Sequence, residues 1–315
     1  MFLSASRRTD IPAFFSEWFF NRLKEGFLYV RNPMNFYQVS KINLSKEIID
    51  CIVFWTKNPK EMLNRIDELD KTGYRYYFHY TINPYGKEIE KNVPELKNNI
   101  EVFKELSRRI GSKRVIWRYD PIILSEKFDI EYHMKKFNEI SYELSSFTER
   151  CVISFLDFYP KKIKIFHDKG FKEIGKDEMK IIADNFSRIN NKYGFEIFTC
   201  CEEIDLDNYG IKHGKCIDDH LFSEVFGIIV SAKKDSTQRR ECGCINSIDI
   251  GAYNTCKHGC IYCYANKDLN LINNNINNHS KFSPFLFGEK GEKDIIAERK
   301  VESFICNENI QMRLM

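Results

Sequence analysis

The sequence has no apolar run approaching the roughly 18–20 residues needed to cross a bilayer. Its first residues, MFLSASRRTDIPAFF, place polar and charged side chains where an export signal needs an apolar core, so a cytoplasmic protein without a membrane partner is expected. Charge of one sign is also missing. Lys and Arg number 48 and Asp and Glu 45, a net charge of +3 that argues neither for nor against nucleic acid. There is no strong basic stripe. The patches KKDSTQRR at 233–240 and YPKKIKIFHDK at 159–169 have the length of solvated faces. Hydrophobic residues make up 43% and charged residues 30%, which excludes a disordered chain. The 26 Phe and 16 Tyr read as core before they read as a base-stacking platform.

What the chain has in abundance is cysteine, 11 in 315 residues. Without an export signal, clustered thiols point to metal ligands before disulfides. Cys51 and Cys151 lie inside the apolar runs IIDCIVFW and CVISF and read as small buried hydrophobes, and Cys306 stands alone. The remaining eight, Cys200, Cys201, Cys216, Cys242, Cys244, Cys256, Cys260 and Cys263, fall in one window.

Ahead of that window, strands and helices alternate. FLSAS, DCIVFWT, YRYYFHYT, RVIWRY, RCVISFL and FEIFTC have strand composition. Helical spacing links Met62, Ile66 and Leu69. It links Leu96, Ile100, Phe103, Leu106 and Ile110 ahead of Gly111, then Ile130, Met134, Phe137, Ile140 and Leu144, then Ile182, Phe186 and Ile189. The alternation predicts a parallel sheet, either an open doubly wound sheet or a barrel.

The strand ends favour the barrel, because each runs into polar side chains: Arg7, Arg8 and Asp10; Thr56, Lys57 and Asn58; Thr81 and Asn83; Arg118 and Asp120; Asp157 and Tyr159; Cys200 and Cys201. In a barrel such ends converge on one mouth. A plainer account is that strand ends lead into surface loops, with Arg118 and Asp120 a structural ion pair and Asp10 a helix-start signal before Pro12. The expected fold class is α/β, a (β/α)6–8 TIM-like barrel over residues 1–266, with 267–315 as an appendage packing on it. The Asn-rich stretch NLINNNINNHS reads as a loop.

GAYNTCKHGCIYCYAN carries Cys256, Cys260 and Cys263 in C-x3-C-x2-C spacing, with Tyr262 before the third cysteine. Three sulfurs from one loop leave one vacancy in a four-site centre, filled either by zinc with His258 or a remote cysteine, or by a [4Fe–4S] cluster with one free iron. The spacing resembles that of the radical S-adenosylmethionine (SAM) superfamily. CKHGCIYCYAN is similar to the cluster loop of DNA-repair-photolyase-like and spore-photoproduct-lyase-like proteins. SASRRTDIP, VFWTKNP, WRYDPII, TCCE and ECGCINSIDIGAYNTCKHGCIYCYAN together resemble an uncharacterised bacterial family, a domain of unknown function often labelled radical-SAM-like. That resemblance implies a partial or permuted radical SAM barrel with a [4Fe–4S] cluster, SAM as co-substrate, a 5′-deoxyadenosyl radical, and a reductase or flavodoxin-type electron donor. It implies no substrate.

The order departs from the usual one, because here the cysteine loop follows the last strand, CINSIDIG. A closed barrel makes first and last strands neighbours, so the loop can still reach the same mouth. No Gly-Gly-Glu motif for the methionine amino group is present. On this reading Arg7, Arg8, Lys57 and Arg118 are candidates for the SAM carboxylate or a substrate anion. Asp10 completes the strand-end set, and Asp120, Asp157 or Glu202 would take ribose hydroxyls or the ammonium.

Cys200, Cys216, Cys242 and Cys244 can form a second four-ligand site, for another [4Fe–4S] cluster or for zinc. The family's Cys-Ala-Glu pattern implies Cys200 as the ligand, with Cys201 at the alanine. The alternative is scattered buried thiols. His79 reads as a satisfied core residue, and His213 and His220 are less apt ligands than cysteine. Two other functions stay open: a non-catalytic metal protein, and a lyase repairing DNA photoproducts, the latter by analogy alone.

Overall fold

The computed structural model describes residues 1–306. In chain order the strands are β1 (Phe2–Ala5), β2 (Phe27–Arg31), β3 (Gln38–Asn43), β4 (Cys51–Thr56), β5 (Tyr76–Thr81), β6 (Val115–Ile122), β7 (Arg150–Phe155), β8 (Glu196–Thr199), β9 (Lys212–His213), β10 (Ser247–Asp249) and β11 (Ile295–Glu298). Among the described residues an eight-stranded sheet runs in the order β10-β1-β4-β5-β6-β7-β8-β9, and every neighbouring pair in it is parallel. Each run read as a strand contributes one.

Alternate residues face opposite sides of the sheet. Leu3, Ile52, Phe54, Phe78, Trp117 and Ile153 enter a layer shared with the helices, while Phe2, Val53, Tyr77, Ile116 and Val152 enter a second layer with Ile217, Leu221, Phe222 and Ile245. Cover on both faces explains why these strands read as continuous apolar runs. Helices Leu96–Ile110, Ile130–Leu144 and Lys176–Asn190 follow the periodicity in the sequence. Asp129 caps the second by accepting from the Tyr132 amide, and Phe137 stacks on Phe186 of the third at 3.9 Å between ring centres. Met62, Ile66 and Leu69 are all buried, but on two short helices, Lys60–Leu63 and Ile66–Thr72.

Among the described residues, pairing stops at β9 on one side and β10 on the other, and no ladder joins the two. The sheet is therefore parallel and covered on both faces, without a hydrogen-bonded barrel closure. The expected neighbourhood of first and last strands holds nonetheless. β10 pairs in parallel with β1, setting Phe2 against Ser247 and Ser4 against Asp249.

Two elements differ from the sequence expectation. β2 and β3 form an antiparallel hairpin joined by β11 in a small second sheet, in a region given no strand reading. The Asn-rich stretch expected to be a loop is helix Leu269–Asn277. Asp268 caps it by accepting from the Leu271 amide at 2.9 Å, and Ile272 anchors it in the interior. Composition hid a good N-cap and one sufficient apolar contact. No described helix is long and apolar enough to cross a membrane.

Candidate functional site

The C-terminal ends of β10 and β1 are tied by one carboxylate. Asp249 accepts from Ser4 Oγ at 2.8 Å, Ser6 Oγ at 2.7 Å, the Arg7 amide at 2.9 Å, Arg8 Nε at 3.0 Å and the Gly251 amide at 2.9 Å. Burial alone would raise its pKa, but Arg8 and these donors hold it below the usual range. A second carboxylate extends the tie to β4 and the cysteine loop. Asp10 Oδ1 accepts from the Ala13 amide at 2.9 Å, capping helix Ile11–Phe14. Its Oδ2 accepts from Thr56 Oγ1 at 3.1 Å, the Lys57 amide at 2.7 Å and His258 Nε2 at 2.7 Å. Asp10 is thus both the helix start that the plainer account gives and a junction for three segments.

The loop bearing Cys256, Cys260 and Cys263 is clamped from beyond β5. The His258 carbonyl accepts from the Asn92 amide at 2.8 Å, and the Ile89 carbonyl accepts from the Ile261 amide at 3.0 Å. Tyr262 donates to the buried Glu90 carboxylate, which also accepts from Lys57 Nζ at 2.8 Å and Asn83 Nδ2 at 3.1 Å. Burial would lower the Lys57 ammonium, yet Glu90 and nearby negative groups hold it above its ordinary value. Burial also pushes the Cys256, Cys260 and Cys263 thiols up, and Cys256 is further raised by Asp10 and the other two sulfurs. Lysine stands close enough to Cys260 to offset part of that rise. His258 Nδ1 is buried without a hydrogen-bond partner among the described residues.

On β6, Arg118 Nε donates to Asp120 Oδ2 at 2.8 Å, so this pair is the ion pair that the plainer account foresees. Arg118 holds the Asp120 carboxylate below its usual range against the opposing effect of burial. The same guanidinium donates through Nη1 to Cys216 Sγ at 2.9 Å. Cys216 Sγ lies 3.3 Å from Cys200 Sγ, so two cysteines remote in sequence meet. Cys244 Sγ accepts from the Cys216 amide at 3.3 Å, and Cys242 and Cys201 belong to the same apolar cluster. Cys51 and Cys151 are buried core positions, Cys51 in the same apolar layer as Cys216, Cys242 and Cys244.

Arg7 differs from the other candidate cations. Arg8, Lys57 and Arg118 are committed to Asp249, Glu90 and Asp120. Among the described residues, Arg7 makes no ion pair. Its Nη2 donates to Ser247 Oγ at 3.0 Å, and its guanidinium lies 5.7 Å from the centre of the Trp55 ring. Asp157 is engaged by Arg239 at 2.9 Å and Tyr159 at 3.0 Å. Glu202 accepts from the Phe155 amide at 2.8 Å, and burial pushes its carboxyl up to about 7. His79 is buried, with Nε2 2.7 Å from the Cys216 carbonyl, and burial followed by Arg118 lowers it to about 3. His213 lies 3.3 Å from Thr199, and His220 is exposed.

Sequence reasoning missed Asp249 and Glu90. Asp249 obeys the same strand-end rule that picked out Arg7, Asn83 and Asp120, so its signal was present. Glu90 lies on a long connection with no periodicity to mark it. A cleft of about 500 Å3 lined by Met1, Asn246, Ser247, Arg299 and Phe304 contains none of the candidate residues. Among the described residues, no three His, Cys, Asp or Glu side chains converge closely enough to hold a single metal ion as they stand.

No functionally curated protein matches the chain. Among solved structures, a candidate alpha-L-fucosidase from Bacteroides thetaiotaomicron is similar at 12% identity, covering 57% of this chain and 84% of that one, with a TM-score of 0.27 that is too low to carry an argument. A family model described only as a domain of unknown function matches residues 2–265, and the chain belongs to that family, DUF1848.

Proposed function

We propose that this protein is an iron–sulfur enzyme of the radical SAM kind, working on a partial parallel α/β barrel with Cys256, Cys260 and Cys263 as its cluster ligands. The observation that carries the reading is the placement of three thiols in one loop, Cys260 buried and Cys256 and Cys263 partly exposed, with the loop pinned by Asp10 and Glu90 to the C-terminal ends of β1 and β4. Parallel α/β folds keep their chemistry at that end. The donor set suits a cluster, because three thiols from one loop can each hold a different iron of a cubane and leave the fourth iron free. When bound to SAM, a reduced cluster of this type supplies a 5′-deoxyadenosyl radical.

The chain's own residues then bind, orient and enclose. Arg7, without a carboxylate partner, is the cation left to hold an anionic group such as an amino-acid carboxylate. Arg8, Lys57 and Arg118 instead brace the mouth. Glu202, with its carboxyl near neutrality, is able to hold or release a proton beside Asp120 and Asp157. A small-molecule substrate and a flavodoxin-type electron donor complete the reading.

The test is anaerobic reconstitution followed by electron paramagnetic resonance, with and without SAM, on the wild type and on a C256A/C260A/C263A variant. The wild type should hold about four irons with matching sulfide at this loop. Its signal should change on adding SAM, and dithionite should release 5′-deoxyadenosine. A wild type with no more iron than the variant would end the cluster proposal. A cluster whose signal ignores SAM would end the radical SAM proposal and leave the cluster standing.

A further inference from the structure

The thiols that the proposed reaction does not use have a geometry of their own. Cys200 follows β8, Cys216 follows β9, and Cys242 and Cys244 precede β10. Three stretches remote in sequence therefore deliver sulfur to one place on the inner face of the sheet. The nearest pair, Cys200 and Cys216, is 3.3 Å apart. Four ligands at a zinc–sulfur distance of roughly 2.3 Å stand about 3.8 Å from one another by tetrahedral geometry. The pair is already within that spacing. The loop thiols lack such contacts, and a second cubane would require these sulfurs to move apart.

The surroundings suit thiolates. Cys244 Sγ accepts from the backbone amides of Cys216 at 3.3 Å and Ile217 at 3.4 Å. Arg118 donates to Cys216. Four thiolates on a divalent ion carry a net charge of −2, and the Arg118 guanidinium that donates to Cys216 faces it. Apolar side chains around them include Phe2, Leu221, Phe222 and Val230. Buried thiolates crowded together repel unless a cation lies between them.

The local fold gives such an ion a purpose. Between Cys200 and Ser247 the regular structure is sparse: a two-residue strand, one short helix, a single 3-10 turn at Asp207–Tyr209, and the isolated bridges Leu206–Ile211, Val230–Ile305 and Lys234–Ile245. Few backbone ladders hold this cover on the sheet. A cross-link from β8 to the segments on either side of helix Asp219–Phe226 would do so.

We infer that Cys200, Cys216, Cys242 and Cys244 form a structural zinc site, a tetrathiolate separate from the Cys256–Cys263 loop. Cys200 and Cys216 are in contact through sulfur, Cys244 Sγ accepts from the Cys216 amide, and Cys242 lies in the same buried cluster, so the ion would gather the four by side-chain rotation. The site takes Cys200 and not its neighbour Cys201, because Cys200 is the one in contact with Cys216.

The test uses the full chain carrying C256A/C260A/C263A, so that its result does not depend on the iron loop. Elemental analysis after gel filtration should find about one zinc per chain, and X-ray absorption should find four sulfurs at roughly 2.3 Å. Adding C200A should cut zinc at least tenfold, while adding C201A should leave it unchanged. If the C200A chain does not fold, the absorption spectrum of the parent chain and the C201A result still decide the matter. The inference is overturned by a parent chain without metal. It is equally overturned by about four irons with sulfide, by a Cys200–Cys216 disulfide in the anaerobic protein, or by zinc lost with C201A.

Discussion

Asp10→Asn is expected to destabilise the protein by about 3–4 kcal/mol. The substitution keeps shape and removes one acceptor. Oδ2 of Asp10 faces three donors, from Thr56, Lys57 and His258, and Oδ1 faces the Ala13 amide. An asparagine has one oxygen for these two directions. Turned toward Ala13, it sets its NH2 against three buried donors, which is prohibitive. Turned toward the three donors, it loses the helix cap, about 1 kcal/mol. It also converts three charge-assisted hydrogen bonds to neutral ones, a loss of about 1 kcal/mol each before relaxation. Urea denaturation followed by circular dichroism, under anaerobic conditions, measures the sum. A double-mutant cycle with His258→Ala isolates the contact to the cysteine loop, where a coupling of about 1 kcal/mol is expected. A loss below about 0.5 kcal/mol, or no coupling with His258, would refute the claim that this carboxylate ties helix, strand and loop together.

Two further substitutions probe charge burial. Glu90→Gln leaves Lys57 without its carboxylate and is expected to cost about 3 kcal/mol; K57M/E90Q should recover most of that in the same denaturation assay, and a double variant as unstable as E90Q would exclude the ion-pair explanation. His133 is buried and neutral, accepting from Tyr119 at Nδ1 and donating from Nε2 to the Ile123 carbonyl, each at 2.8 Å. Burial lowers it to about 4 from an ordinary 6.5, so the unfolded chain binds the extra proton first. Its contribution is whole above pH 6.5 and is lost as pH falls toward 4. That loss is about 2–3 kcal/mol between pH 7.5 and 4.5. His133→Gln should flatten the stability curve by that amount relative to the wild type, and identical curves would show that the ring is not held neutral.

The strands of the parallel sheet were legible because both their faces are buried, which makes the apolar runs continuous. Helices of fifteen residues such as Leu96–Ile110 were legible because one face repeats and Gly111 ends it. The small sheet was not legible. Its strands FLYVR and QVSKIN mix charged residues with apolar ones, and β11 arrives from the far end of the chain. The helix Leu269–Asn277 was hidden by asparagine, which reports propensity, whereas capping and tertiary contact decided the outcome. Within the site, the cysteines and strand-end charges were visible as residue types. The partner Glu90 was not, because it acts through three-dimensional proximity to Lys57, Asn83 and Tyr262 and leaves no spacing to read.

The pairing of β10 with β1 brings a C-terminal cysteine loop to the same end of the sheet as the N-terminal SASRR segment, and one glycine permits it. A Cβ at Gly251 would lie 1.9 Å from Ser6 Oγ and 2.5 Å from Ser6 Cβ. Ser6 cannot yield by rotation alone. Its hydroxyl donates to Asp249 and accepts from the Arg8 amide at 2.9 Å, and its Cβ is fixed to the backbone. Gly251→Ala should therefore cost about 2–3 kcal/mol by overpacking and push the segment leading to Cys256 away from β1. Ser6→Gly removes both clashing atoms at the cost of two hydrogen bonds, to Asp249 and from the Arg8 amide. If the clash is the cause, S6G/G251A will be more stable than G251A alone, an inversion that independent effects cannot produce. Additive losses would instead place the cost in the backbone of Gly251 and release the two chain ends from the close packing argued here.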